Sequence, residues 1–250
     1  MIERLLNPWI RDLIPYSSAR SEFSAPADIL LDANESWEGG NSGINRYPDP
    51  LALKLRKKME EVLSLPLSMT AIGNGSDEII DMLIRMFCIP GKDSILIERP
   101  TYGTYSVFAH TSGVDVINVM LTPSLDLDAD AMLETIERKK PKIVFICTPN
   151  NPTGRVYPLS VIRAIAEANS GITAIDEAYC DFADGFESAV SLINSNPRVV
   201  VLRTLSKAYG VAGARLGILV SDPDVQRVFM KAKPPYNVSS LSQEAGYKAL

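Results

Sequence analysis

Lys207 is the residue on which a reaction could turn. It sits in Thr204-Leu205-Ser206-Lys207-Ala208-Tyr209-Gly210, between apolar runs at 199–202 and 216–220, with Arg215 eight residues downstream. An amine among small residues can approach a ligand closely, and once deprotonated it attacks a carbonyl carbon. The hydroxyls of Thr204 and Ser206 and the guanidinium of Arg215 suit an anion such as a phosphate. Together these groups provide a carbonyl-reactive lysine beside a phosphate cup, which is what pyridoxal phosphate requires. A surface lysine in a turn would read the same way, and this stretch alone does not separate the two.

Two other polar clusters also follow apolar runs. Thr148-Pro149-Asn150-Asn151-Pro152-Thr153-Gly154 follows 142–147, and Asp176-Glu177-Ala178-Tyr179 follows 172–175. If the three runs are parallel strands, a carboxylate, an amide, a phenol and a lysine converge on one edge of a sheet. Ligands gather at that edge in open α/β folds.

The rest of the chain supplies elements that could hold them there. Strands are expected at 93–98, 114–119, 142–147, 172–175, 199–203 and 216–220. Helical spacing is expected at 102–111, 128–140 and 158–169. Near-continuous apolar strands alternating with helices indicate a mostly parallel sheet covered on both faces. Earlier, 49–65 reads as an amphipathic helix with Leu51, Leu55, Met59 and Val62 on one side, and the basic run at 54–58 as its solvated face. Gly73-Asn74-Gly75-Ser76-Asp77-Glu78 opens another helix that Ser76 or Asp77 can cap. Its free N–H groups could hold a phosphate, or it could be a plain helix start. Residues 1–45 read as an irregular arm.

Composition narrows the classes. Charged residues are 22% and the net charge is −5, with no basic block that would point to nucleic acid. No apolar run approaches the roughly 20 residues of a membrane span, and the N-terminus has no apolar leader, so a cytoplasmic protein is expected. Cys88, Cys147 and Cys180 are odd in number and widely spaced, which argues against a disulfide framework or zinc site. His110 matches no motif. Asn-x-Ser/Thr matches at Asn34, Asn74 and Asn237 read as chance.

In this order, Asn-Pro-Thr-Gly, Asp-Glu-Ala-Tyr and Ser-Lys-Ala-Tyr resemble the fold-type I, pyridoxal-phosphate-dependent aminotransferases of class I/II. Asn34-Glu35-Ser36, Arg46-Tyr47-Pro48, the 73–78 turn and Arg99-Pro100-Thr101-Tyr102-Gly103-Thr104-Tyr105 extend the match over nearly the whole chain. Arg46-Tyr47-Pro48 and Pro15-Tyr16-Ser17-Ser18-Ala19-Arg20 resemble the histidinol-phosphate branch. The resemblance implies a three-layer α/β/α large domain at 46–238, an N-terminal arm at 1–45 and the start of a small C-terminal domain at 239–250. It gives Lys207 the covalent bond to the cofactor and the proton transfers, and Asp176 the pairing with the cofactor's ring nitrogen. Asn151 and Tyr179 become donors to the ring 3′ oxygen, and Tyr102 the stacking residue. Ser76, Asp77, Thr204, Ser206 and Arg215 form the phosphate cup. Tyr47 is implied to reach the neighbouring site of a homodimer, with Tyr16 and Asn34 at the substrate.

The implied reaction converts L-histidinol phosphate and 2-oxoglutarate to imidazole-acetol phosphate and L-glutamate, in histidine biosynthesis. Threonine-phosphate decarboxylase or another class I/II aminotransferase shares this machinery. The family's chains continue past the position matching Leu250. The resemblance therefore implies that most of the small domain, with the arginine that grips the substrate's anionic end, is missing. A truncated, catalytically impaired remnant is then a further alternative.

Overall fold

A computed structural model describes residues 2–16, 29, 31–38 and 44–250. Seven strands form one sheet: β1 (Thr70–Asn74), β2 (Ser94–Arg99), β3 (Asp115–Met120), β4 (Ile143–Cys147), β5 (Ile172–Asp176), β6 (Val199–Thr204) and β7 (Leu216–Ser221). Their order is β1-β7-β6-β5-β4-β2-β3. The strands from β3 to β6 run parallel, while β7 is antiparallel to both β6 and β1. The mostly parallel α/β sheet expected from the sequence is present.

Helices cover both faces. After the one-turn α1 (Pro8–Arg11) come α2 (Leu53–Leu63), α3 (Gly75–Phe87), α4 (Thr104–Thr111), α5 (Ala129–Lys139), α6 (Leu159–Ala168), α7 (Pro223–Ala232) and α8 (Ser240–Ala249). Alternate strand residues divide between two buried clusters. Ile95, Ile97, Phe145, Ala174, Val200 and Leu202 pack under α3, α4 and α7. Leu96, Val144, Ile146, Ile175, Val201 and Val220 pack under α2, α5 and α6. Strands buried on both faces explain the unbroken apolar runs. Among the described residues, no helix is long and apolar enough to cross a membrane.

Several local expectations are corrected. β1 is a strand that the apolar pattern did not single out. Leu55 and Met59 face the core, but Leu51 precedes the helix and Val62 lies on its exposed side. Arg56 is buried rather than solvated, and its guanidinium donates to the carbonyls of Leu51 and Leu67. Neither Ser76 nor Asp77 caps α3. The helix starts at Gly75, and Glu78 reaches back to accept the Asn74 N–H at 2.6 Å.

Candidate active site

The three polar clusters leave the sheet at one edge, because β4, β5 and β6 are parallel and in register, with Cys147 opposite Asp176 and Asp176 opposite Leu202. The 73–78 turn joins them from β1, because β1 lies against β7 and the Gly75 N–H donates to the Arg215 carbonyl at 2.8 Å. Ser76, Asp77, Tyr102, Asn151, Asp176, Tyr179, Thr204, Ser206, Lys207 and Arg215 line a single cavity, with Cys147 and Ala178. The ten residues expected around the cofactor ring, its phosphate and its lysine are thus brought together.

Each wall has its own chemistry. Asp176 is buried at the end of β5. Its Oδ2 accepts the Tyr105 hydroxyl at 2.7 Å and its Oδ1 the Ala178 N–H at 3.1 Å. Burial pushes its carboxyl above the ordinary range, against the pull of those two bonds and, more weakly, of Lys207. The exposed Lys207 places its amine 5.2 Å from the Tyr179 ring centre. Asp77 accepts from the Tyr102 hydroxyl at 2.9 Å and from Arg215 at 3.0 Å, joining the expected stacking ring to the expected phosphate cup. Thr204 donates to the Leu216 carbonyl and accepts the Ser206 N–H, both at 3.0 Å. Its proton is spent on the loop, whereas Ser206 Oγ is buried with no partner. Cys147 is no candidate nucleophile, because burial holds its thiol well above the ordinary value.

The other expected residues lie elsewhere. Tyr47 stacks on Tyr236 with ring centres 4.5 Å apart. It shares an open groove with Asn34, Glu35, Arg46 and Ser239. Tyr16 is exposed and lines neither.

Two further residues at the site have contacts that their motifs do not disclose. Tyr105 holds Asp176, stacks on Phe145 and meets Tyr102 edge-on. Its spacing of three from Tyr102, which puts both on one side of a helical turn, was the available signal. Glu177 is fully buried and receives the Arg203 guanidinium, the Ser188 hydroxyl and the Ala189 N–H, which pins the chain beyond Tyr179.

The donor set fits pyridoxal phosphate. A buried carboxylate raised by desolvation calls for a cation, which a protonated ring nitrogen provides. The orphaned Ser206 hydroxyl, the N–H groups of Ser76 and Asp77 at the start of α3 and Arg215 suit a phosphate.

Fold and site together define a pyridoxal-phosphate enzyme of fold type I. The chain belongs to the class I and II aminotransferases, whose family model matches residues 16–250. It is 46% identical over 253 residues to a histidinol-phosphate aminotransferase of Cytophaga hutchinsonii, covering 100% of this chain and 72% of that protein. One from Parabacteroides distasonis is 43% identical, over 100% of this chain and 71% of its own length. The crystal structure of histidinol-phosphate aminotransferase from Sinorhizobium meliloti, in complex with pyridoxal-5′-phosphate, matches with a TM-score of 0.77 at 26% identity. That match covers 82% of this chain and 56% of the solved chain.

Proposed function

We propose that this chain transfers an amino group from L-histidinol phosphate to 2-oxoglutarate, giving imidazole-acetol phosphate and L-glutamate. The observation that carries this reading is the convergence of ten expected residues, from distant parts of the sequence, on one cavity. The relatives that match the whole chain supply the substrate.

When bound, pyridoxal phosphate supplies a carbonyl carbon that takes up the amino group and a ring that draws electrons from it. Lys207 moves the proton between the substrate's Cα and the cofactor's C4′. Asp176 keeps a proton on the ring nitrogen, and Tyr105 holds Asp176 in its charged form. Asn151 and Tyr179 donate to the ring 3′ oxygen, and Tyr102 covers the ring face. Ser206, Arg215 and the N–H groups of Ser76 and Asp77 bind the phosphate, while Thr204 shapes the loop that presents Ser206. Tyr16 and Asn34 belong to the substrate side. Residues 46–238 form the cofactor-binding domain and 239–250 the start of the next. The protein works in the cytoplasm as a homodimer to which Tyr47 contributes across the interface. The exposed apolar side chains of Trp9, Ile14, Leu31 and Trp37 suit that assembly.

The purified chain with pyridoxal phosphate should turn yellow and form glutamate from histidinol phosphate and 2-oxoglutarate. A protein that stays colourless overturns the reading. Carbon dioxide release from phosphothreonine without glutamate replaces it with a decarboxylase. Within the same reading, Tyr105→Phe removes one bond to a buried carboxylate. It should weaken cofactor affinity by about tenfold or more, the worth of a charge-assisted hydrogen bond, in a fluorescence titration.

A further inference from the structure

Glu98 is a carboxyl that the proposed reaction does not use. It lies at the end of β2, fully buried, and its Oε2 has no partner. The β2–β4 ladder stops at Ile97 opposite Phe145. Beyond it the Glu98 side chain takes over, with Oε1 accepting the Cys147 N–H at 2.8 Å.

The same Oε1 lies 3.1 Å from Thr101 Oγ1, which lies 2.9 Å from Asn150 Oδ1. Thr101 has one hydroxyl proton for these two contacts. The Asn150 amide cannot flip to supply a second, because its Nδ2 donates to the Pro100 carbonyl and to Thr153 Oγ1, both at 3.0 Å. If Thr101 donates to Asn150, a proton on Glu98 must fill the other contact. A charged Glu98 would also leave an unpartnered oxygen in the core, at a heavy desolvation cost.

We propose that Glu98 is a positioning residue that acts as a neutral carboxylic acid: it donates to Thr101, frees the Thr101 proton for Asn150, and so fixes the 148–154 loop and its Asn151. The link to Asn151 rests on the cofactor reading above; the protonation of Glu98 does not. The groups that face it are Asp176 of β5, Cys147 of β4, Tyr105 of α4 and Tyr157 before α6, whose hydroxyl is also buried without a partner. None is a cation, and burial outweighs the N–H groups of Cys147 and Glu98 and the Thr101 hydroxyl, which favour the charged form. Burial accordingly pushes the Glu98 carboxyl up to about 7. Because the folded value is raised, its contribution to stability is full in acid and is lost as pH rises through about 7.

Glu98→Gln tests the wiring. The glutamine fills the same space, is neutral and still accepts from Cys147, but the oxygen facing Thr101 has no proton to give. Infrared difference spectra of the whole chain should show a carboxylic-acid C=O band in acid that fades through about 7 and is missing in the variant. At pH 6, amide hydrogen exchange at Asn150 and Gly154 should be faster in Glu98→Gln by roughly tenfold, one buried hydrogen bond's worth. The two proteins should converge above pH 8, and Thr101→Val should abolish the difference between glutamate and glutamine. These readouts need no cofactor, so a chain that fails to bind pyridoxal phosphate still decides the state of Glu98. With cofactor bound, affinity should follow the same ratio. Absence of the acid band at pH 6, or equal protection of the loop in both proteins, overturns the proposal.

Discussion

Lys207→Ala is expected to abolish amino transfer, lowering kcat by roughly four orders of magnitude or more, because it removes both the positioned proton carrier and the covalent anchor. The geometry makes the loss specific. The turn after β6 holds the Lys207 amine over the Tyr179 ring, on the edge where Asp176 ends β5, and among the described residues no other lysine lines the cavity. Ser206, Arg215, Asp176 and the first turn of α3 are untouched, so the variant should still bind pyridoxal phosphate, more weakly and without a covalent bond. Borohydride should fix the cofactor's mass on the peptide containing residue 207 in the parent chain and on no peptide in the variant. Lys207→Arg keeps a cation but not a transferable proton near neutral pH, and should be nearly as inactive as the alanine variant. Transamination by Lys207→Ala within tenfold of the parent would sink the role given to this lysine.

What the sequence disclosed depended on range. The clusters at 148–154, 176–179 and 204–207 were legible because each begins where an apolar run ends, and parallel strands in register put such endings on one edge. β1 was not, because it is a short strand with Gly73 in it that gains its place by antiparallel pairing with β7, far along the chain. Arg56 looked like part of a charged face, because the carbonyls that hold it belong to turns flanking its helix. Tyr105 carries only its spacing from Tyr102, and Glu98 carries no local mark of its function. Their partners, Asp176 and Cys147, lie 71 and 49 residues away in sequence, and only the folded sheet brings them together. Side-chain types at strand ends can therefore reveal the groups that touch a ligand, whereas the buried groups that hold them in place depend on tertiary pairing.

Gly217→Ala should damage the site strongly from outside the cavity lining. Gly217 lies in β7 opposite Gly73 of β1, and the backbone of the 73–78 turn passes directly above it. A methyl group there would fall inside van der Waals contact of Gly75 C and Ser76 N, which are backbone atoms with no rotamer to change. The turn cannot move aside freely. Gly75 has a left-handed φ of 78°, its N–H is bonded to the Arg215 carbonyl, and the Arg215 guanidinium packs 2.6 Å from where its Cβ would be. Displacing the turn therefore moves the Ser76 and Asp77 N–H groups and Arg215 together. Overpacking of this kind costs about 1–3 kcal/mol or more. Gly217→Ala should accordingly lower the unfolding free energy by about that amount and weaken pyridoxal phosphate binding by roughly a hundredfold, the equivalent of about 3 kcal/mol. Free phosphate, which competes for the cup alone, should lose affinity in parallel, whereas Gly213→Ala, where added bulk meets nothing, should change neither. If Gly217→Ala binds cofactor and phosphate as the parent does, the anion site is not built on this crossing of β7 and the turn before α3.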